Sequence, residues 1–274
     1  MQDYKKIIYI SSFSHSGSTL LDLIMGSHPK MIGLGEIFRC LNLDTLGKDC
    51  SCGQSLDQCE FWGIVNSKIS SSPNLNFNNK FDIILDTFYE IYNDEIMIVD
   101  SSKYSSGLKY YIENNYDIKV LRLVKDVRAF TTSQIKLAKY LNKGIKYRSG
   151  IYHHIKWYLG NRKFDKMINE NNIKVYYVSY ENLCLQQERT INDICKFLNL
   201  DYDNRMLSIG ESNSHILRGN RMRNEKKKKT EIQYDYRWFN ERSWVLPYAL
   251  FPQIRSYNDM IISKNSSNIF DFTK

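Results

Sequence analysis

Continuous hydrophobic runs and helical hydrophobic stripes alternate along this chain. The continuous runs predict strands over residues 7–11, 31–35, 96–99, 118–124 and 174–178. Helices are predicted over 18–27, 80–93, 129–141, about 150–170, and from 180 to about 198. This order is typical of an α/β protein with a mostly parallel central sheet covered by helices on both faces.

The spacing of these elements predicts a single domain over residues 1–274, although the length would also suit two small domains. Residues from about 40 to 80 are polar and rich in Ser and Asn, so we expect an irregular insertion there. A basic lid loop is expected at about 212–235.

The net charge of +8 and the pI near 9.0 suit an anionic ligand, a nucleic acid or an acidic membrane surface. The run Lys226–Lys229 has no nucleic-acid-binding motif beside it, so we interpret it as a solvated charge run and predict no nucleic-acid partner. An uninterrupted run of only four apolar residues, 7–10, precedes the first serines. That segment is too short for a signal peptide or a membrane span, which predicts a soluble, cytoplasmic protein.

Three cysteines crowd into the predicted insertion at Cys50, Cys52 and Cys59. Their spacing lacks the two paired ligand sets of a zinc knuckle. Reduced packing cysteines are the preferred interpretation, ahead of a local disulfide or a metal site, so we assign no metal ligand.

Polar residues follow the carboxyl end of strand after strand. They are Ser14–Thr19, Glu36, Lys103, Lys125–Arg128 and Tyr180. In open α/β sheets ligands bind at that edge, so we expect the functional site there.

The first of these segments is a Ser/Gly turn between a strand and a helix, where free backbone N–H groups beside Ser18 and Thr19 can hold an anion. Nucleotide kinases and NTPases carry G-x-x-x-x-G-K-[ST] at such a turn. Aligned on Gly17, this chain has Ser12 for the first glycine and Ser18 for the lysine. A sulfuryl group carries less charge than a triphosphate, so the missing lysine favours a sulfuryl donor over a kinase or NTPase.

These motifs, in this order, resemble the PAPS-dependent sulfotransferases, in particular the bacterial sulfotransferase-like group. The resemblance extends over about residues 5–245 and rests on the runs Ser14–Leu21, Gly35-Glu36, Cys50–Gly53, Cys59–Trp62, Val99–Lys103, Lys125–Ala129 with Ser133, and His215–Arg223. It implies a P-loop-like, nucleotide-kinase-like fold. It also implies 3′-phosphoadenosine 5′-phosphosulfate (PAPS) as co-substrate, with no required metal.

The resemblance further implies which residues hold PAPS. The phosphosulfate would lie on Ser14, His15, Ser16, Gly17, Ser18, Thr19 and Leu20. The 3′-phosphate would be held by Lys125, Ser133, Arg218, Arg221 and Arg223, and Tyr180 would stack on adenine. The chain departs from the family at two positions, with His15 where Lys or Arg is usual and Lys125 where Arg is usual.

Three residues are predicted to act in catalysis, namely Glu36 as general base and His15 and Lys103 as stabilising charges. An ordinary Glu is a weak base, so we expect burial to raise the pKa of Glu36 toward neutrality. The alternatives are a helix-capping carboxylate at Glu36, with His28 as the base, and a solvated loop lysine at Lys103. For Ser133 the alternative is an ordinary hydroxyl on a helix face.

The acceptor is expected to be a hydroxyl or amine of a small polar metabolite, natural product or carbohydrate. Its pocket would be shaped by the insertion and by residues 140–160, including His153 and His154. A nucleotide kinase and a non-catalytic nucleotide-binding protein remain alternatives, and the sequence does not indicate an oligomeric state.

Overall fold

The computed structural model describes residues 6–41, 49–72, 74–224 and 232–263. The chain divides into two compact units. The first comprises Met1–Ser11, Ser18–Lys119 and Asp203–Ile232, and the second comprises Ser12–Gly17, Val120–Tyr202 and Gln233–Lys274. The Lys226–Lys229 run and part of the expected lid loop, residues 225–231, lie outside the described residues.

Five strands form the central sheet, in the order β2-β3-β1-β4-β5. They are β1 (Ile7–Ser12), β2 (Met31–Gly35), β3 (Met97–Lys103), β4 (Ile118–Val124) and β5 (Val175–Ser179). β3 pairs in parallel with both β1 and β2, and β4 pairs in parallel with β5. Every residue of β1, β2 and β3 is buried, because helices cover both faces of a parallel sheet. The predicted α/β fold is confirmed.

Helices connect the strands. They are α1 (Ser18–Gly26), α2 (Ile37–Cys40), α3 (Trp62–Ser70), α4 (Phe77–Ile91), α5 (Ser105–Glu113), α6 (Val127–Tyr140), α7 (Gly150–Glu170), α8 (Tyr180–Leu185), α9 (Gln187–Leu198), α10 (Val245–Leu250) and α11 (Pro252–Ser263). No helix in the described ranges is long and apolar enough to cross a membrane.

Each unit has its own apolar core. In the first, Phe38 packs on Phe81 and Tyr111, whose rings lie 5.2 and 5.6 Å from its own. In the second, Trp157 of α7 packs with residues of β4, α6 and α11, namely Val124, Val127, Phe130, Tyr257 and Ile261. The ends of the strands are therefore fixed by well-packed surroundings.

The structure differs from the predicted elements where capping or packing overrides hydrophobic spacing. The expected irregular insertion contains α3, whose Trp62 and Val65 are buried. α4 begins before residue 80 because the side chain of Asn76 accepts a hydrogen bond from the Asn79 N–H. The predicted helix from 180 to 198 is two helices that meet at Gln186.

Candidate functional site

The turn after β1 is held in an unusual backbone conformation. The Ser16 N–H donates to the Phe13 carbonyl at 3.2 Å, and His15 and Gly17 have φ angles of 69° and 97°. A Cβ on Gly17 would lie 2.6 Å from Cδ2 of Tyr180, so this position requires glycine. The His15 side chain is exposed and the Ser16 side chain is buried.

The first turn of α1 follows directly and supplies the unpaired backbone N–H groups that every helix start provides. Ser18, Thr19 and Leu20 are buried there. The Thr19 Oγ1 accepts a hydrogen bond from the Asn220 N–H at 3.1 Å. The turn therefore has the strand–loop–helix geometry of an anion-binding site.

Asn220 belongs to the arginine-containing segment 215–223, which lies in the first unit together with α1. Arg218 and Arg223 are half-buried, and Arg223 Nη1 donates to the Gly219 carbonyl at 3.3 Å. Burial lowers the pKa of Arg223. Arg221 begins a short 3-10 helix, Arg221–Asn224, and its side chain lies outside the described part of the structure.

A buried ion pair links the residues that follow β2 and β3. Lys103 Nζ donates to Glu36 Oε1 at 2.5 Å, and Arg39 Nη1 donates to Glu36 Oε2 at 2.9 Å. The side chains of Glu36 and Lys103 are only 4 % and 9 % exposed. The interpretation of Lys103 as a solvated lysine is therefore wrong. Glu36 is the N-cap residue of α2, but its side chain bonds the two cations and makes no capping hydrogen bond.

The expectation that burial raises the pKa of Glu36 is also wrong. Burial alone would raise it, but Lys103 and Arg39 outweigh that effect, and the pKa of Glu36 is lowered. Glu36 is therefore an ionised carboxylate, held on each oxygen by a cation.

The polar residues of β3 support this pair. Ser102 Oγ donates to Asp100 Oδ1 and accepts from the Phe38 N–H at 3.1 Å, which fixes the start of α2. Ser101 Oγ donates to Asp22 Oδ2 at 2.6 Å. Burial raises the pKa of Asp22 and of Asp100 to about 7.

In the second unit, Lys125 follows β4 and lies over Tyr180, with Nζ 4.3 Å from the ring centroid. Both side chains are buried. Burial lowers the pKa of Lys125, while Asp235 and Glu181 oppose this effect. Since the same Tyr180 ring packs on Gly17, it fixes two of the predicted binding elements.

Helix α6 contributes Ser133, whose hydroxyl donates to the Ala129 carbonyl at 2.9 Å. The neighbouring Gln134 Nε2 donates to the Ser14 carbonyl at 3.0 Å and so positions the turn after β1. Sequence reasoning missed Gln134, because a single glutamine on a helix carries no pattern.

Three histidines named from the sequence are buried in structural roles. His28 Nδ1 accepts from the Lys30 N–H at 3.0 Å. His154 Nδ1 lies 2.9 Å from Thr131 Oγ1, and His153 Nε2 lies 2.9 Å from the Tyr147 carbonyl oxygen. Burial lowers the pKa of His154 to about 4.

Three of the cysteines form a cluster with a distant histidine. All six cysteines lie in the described ranges and are free, so the local disulfide is not formed. Cys50, Cys52 and Cys59 converge with His215, and their ligand atoms all lie within 4.8 Å of one another. The sequence led to no assigned metal ligand, and the fold brings together four side chains that could hold an ion.

A parallel sheet, a strand–loop–helix turn without the kinase lysine, and a buried Glu–Lys pair define a P-loop-like α/β protein. The sequence profile of the sulfotransferase family matches residues 8–204. The chain belongs to the sulfotransferase family.

Solved structures of sulfotransferases share this fold. The sulfotransferase domain of the Synechococcus olefin synthase is 19 % identical, with a TM-score of 0.50 over 93 % of this chain and 90 % of that one. A mouse sulfotransferase complexed with PAP is 12 % identical, with a TM-score of 0.52 over 93 % and 84 %. A Mycobacterium avium sulfotransferase is 11 % identical, with a TM-score of 0.55 over 97 % and 79 %. No curated protein sequence matches this chain.

Proposed function

We propose that this protein transfers a sulfuryl group from PAPS to a hydroxyl or amine of a small acceptor. The acceptor oxygen or nitrogen forms a new bond to sulfur, and the bond from sulfur to the 5′-phosphate oxygen breaks. The acceptor proton passes to Glu36, and adenosine 3′,5′-bisphosphate (PAP) leaves with the electron pair of the broken bond. This balance needs no redox partner and no metal ion.

The observation that carries the proposal is the buried pair of Glu36 and Lys103. The Lys103 ammonium can turn from the carboxylate to an oxygen of the transferring sulfuryl group, where negative charge must be stabilised. The basicity of Glu36 then rises, because burial raises its pKa and only Arg39 still opposes that effect once Lys103 has moved away. The pair thus couples donor binding to activation of the base.

Membership of the family supports PAPS as the donor, and the PAP complex of the mouse relative agrees with it. We assign the phosphosulfate to residues 14–20, where backbone N–H groups supply hydrogen bonds. His15, at the exposed position of the turn, contributes a further donor or charge.

We assign the 3′-phosphate to Lys125 and Ser133, together with Arg218, Arg221 and Arg223. Lys125 brings a charge that is already desolvated and so strengthens a hydrogen bond to phosphate. Ser133 can turn its hydroxyl proton from the Ala129 carbonyl to the ligand. Tyr180 contributes by holding Gly17 and Lys125, whether or not adenine also stacks on it.

Calorimetry tests the donor assignment. PAP is expected to bind in magnesium-free buffer, and Mg-ATP is expected to bind at least tenfold more weakly. Lys125→Ala should weaken PAP binding by about 10- to 100-fold, the effect of losing one charge-assisted hydrogen bond. Lys139→Ala, which removes an exposed lysine of the helix that follows Lys125, is the matched control.

Preferential binding of Mg-ATP would instead indicate a nucleotide kinase. PAP binding without transfer of label from sulfur-labelled PAPS to any component of a metabolite extract would indicate a non-catalytic nucleotide-binding protein. The component of the extract that becomes labelled identifies the acceptor, which we expect to be a small polar metabolite, natural product or carbohydrate.

A further inference from the structure

Four metal-ligating side chains meet in the first unit. We propose that Cys50, Cys52, Cys59 and His215 bind one structural zinc ion. Their sulfur and nitrogen atoms all lie within 4.8 Å of one another. Three thiolates and one imidazole form a donor set that is typical of structural zinc sites.

The distances fit tetrahedral coordination after a small contraction. Cys59 Sγ lies 3.2 Å and Cys50 Sγ lies 3.9 Å from His215 Nδ1. With Zn–S about 2.3 Å and Zn–N about 2.0 Å, the ligand atoms of a tetrahedral site lie about 3.5–3.8 Å apart. Each side chain therefore needs to move by less than about 1 Å to coordinate the ion.

Backbone N–H groups point at the three sulfurs. The Cys52 N–H bonds the Cys50 sulfur, and the Gln54 N–H bonds the Cys52 sulfur. The Trp62 N–H bonds Cys59 Sγ at 3.4 Å. Such bonds stabilise thiolates, which are the form of cysteine that binds metal.

The ring of His215 is oriented for coordination through Nδ1. On its other side, Nε2 lies 3.2 Å from Glu60 Oε1 and 3.1 Å from Tyr92 Oη. A proton on Nε2 that is shared with a carboxylate leaves the lone pair of Nδ1 for a metal. This carboxylate–histidine arrangement is common behind zinc-bound imidazoles.

The surrounding backbone already ties the two ligand-bearing segments together. The Ser51 N–H donates to the Ile216 carbonyl at 3.1 Å, and the Ile216 N–H donates to Ser51 Oγ at 2.8 Å. The Trp62 indole donates to the His215 carbonyl. With four protein ligands the site is closed, so we assign the ion a structural role that fixes segment 215–223 against residues 50–62.

The test begins with the wild-type full-length protein, purified without chelator after growth with zinc. Elemental analysis is expected to give about one zinc per chain, and X-ray absorption to give about three sulfur and one nitrogen neighbour. Cys59→Ala and His215→Ala should lower the zinc content to background. Cys195→Ala, which removes another buried cysteine, should leave it unchanged.

The proposal would be overturned if the reduced wild-type protein contained no zinc and bound neither zinc nor cobalt on titration. It would be overturned equally if a disulfide joined any two of the three cysteines. Zinc retained at full content in both ligand variants would also contradict it. None of these measurements depends on sulfuryl transfer, so a failure of the zinc proposal can be distinguished from a failure of the proposed function.

Discussion

At the scale of the residue, the general-base role that we propose for Glu36 sets two requirements that oppose each other in water. A base must be unprotonated at working pH and yet bind a proton strongly during reaction. Lys103 and Arg39 keep Glu36 ionised, and its burial makes it a stronger base once a cation withdraws. The carboxylate is therefore held ready by its neighbours.

Glu36→Gln is expected to keep PAP binding and to lower turnover by about 10²- to 10⁴-fold, because the amide cannot take the acceptor proton. Turnover is measured as PAP released from PAPS with the acceptor found in the metabolite screen. Removing one partner of a buried pair costs about 3–5 kcal/mol, so thermal unfolding must be measured alongside.

Glu90→Gln is the matched control, since it removes a carboxylate from the exposed pair with Lys68 and should change neither property. Undiminished turnover in the folded Glu36→Gln protein would rule out Glu36 as the base.

Sequence reasoning placed Glu36 and Lys103 at the ends of their strands, because buried runs and the polar residues after them can be recognised in the sequence alone. It could not foresee that the two side chains bond each other. That contact depends on the left-handed backbone of Lys103, with φ of 71°, and on the pairing of β2 with β3. The contact with Lys103 helps to lower the pKa of Glu36, whereas burial alone was expected to raise it.

At the scale of the element, the turn after β1 depends on one glycine. Gly17→Ala introduces a Cβ 2.6 Å from the Tyr180 ring at a φ of 97°. We expect a loss of about 1–3 kcal/mol of folding free energy, together with weaker PAP binding because the turn must shift.

Chemical denaturation and calorimetry measure these two effects. Gly144→Ala provides the comparison, because its φ is −58° and a Cβ there meets open space. If Gly17→Ala behaved like Gly144→Ala in both measurements, the turn would not be constrained as described.

The predicted strands and the long helices were confirmed because their signal lies in local hydrophobic spacing. α3 was missed since the polar surroundings of the cysteines mask its few buried residues. The cysteine cluster was missed for another reason, because His215 lies 156 residues beyond Cys59 and only the fold brings them together.

At the scale of the whole molecule, buried carboxyls set the dependence of stability on pH. Burial raises the pKa of Asp22, Asp100 and Glu181 to about 7, from ordinary values of 3.8, 3.8 and 4.5. Between those values and pH 7 these three carboxyls hold more protons in the folded protein than in the unfolded chain, so their contribution to stability falls as pH rises. Buried His154, whose pKa is lowered to about 4, opposes this fall below pH 6.5, but it is one group against three.

We therefore expect the thermal midpoint to be higher at pH 5 than at pH 8. Asp22→Asn removes one contributor and should reduce the difference, by up to about 3 kcal/mol in unfolding free energy, because only the pH units from 5 to about 7 contribute to it. Asp94→Asn, at an exposed position, should leave the pH profile unchanged. A wild-type midpoint that rose between pH 5 and pH 8 would contradict this account.

The left-handed backbone of His15 and Lys103 has a consequence for engineering. Such a conformation costs a residue with a side chain roughly 1 kcal/mol, and glycine would adopt it without that cost. Glycine at position 15 would thus favour folding while removing an imidazole that we assign to sulfuryl transfer, whereas at position 103 the loss of the buried ion pair with Glu36 would outweigh the gain. Selection for thermal tolerance alone would drive position 15 toward glycine, and selection for turnover would drive it back.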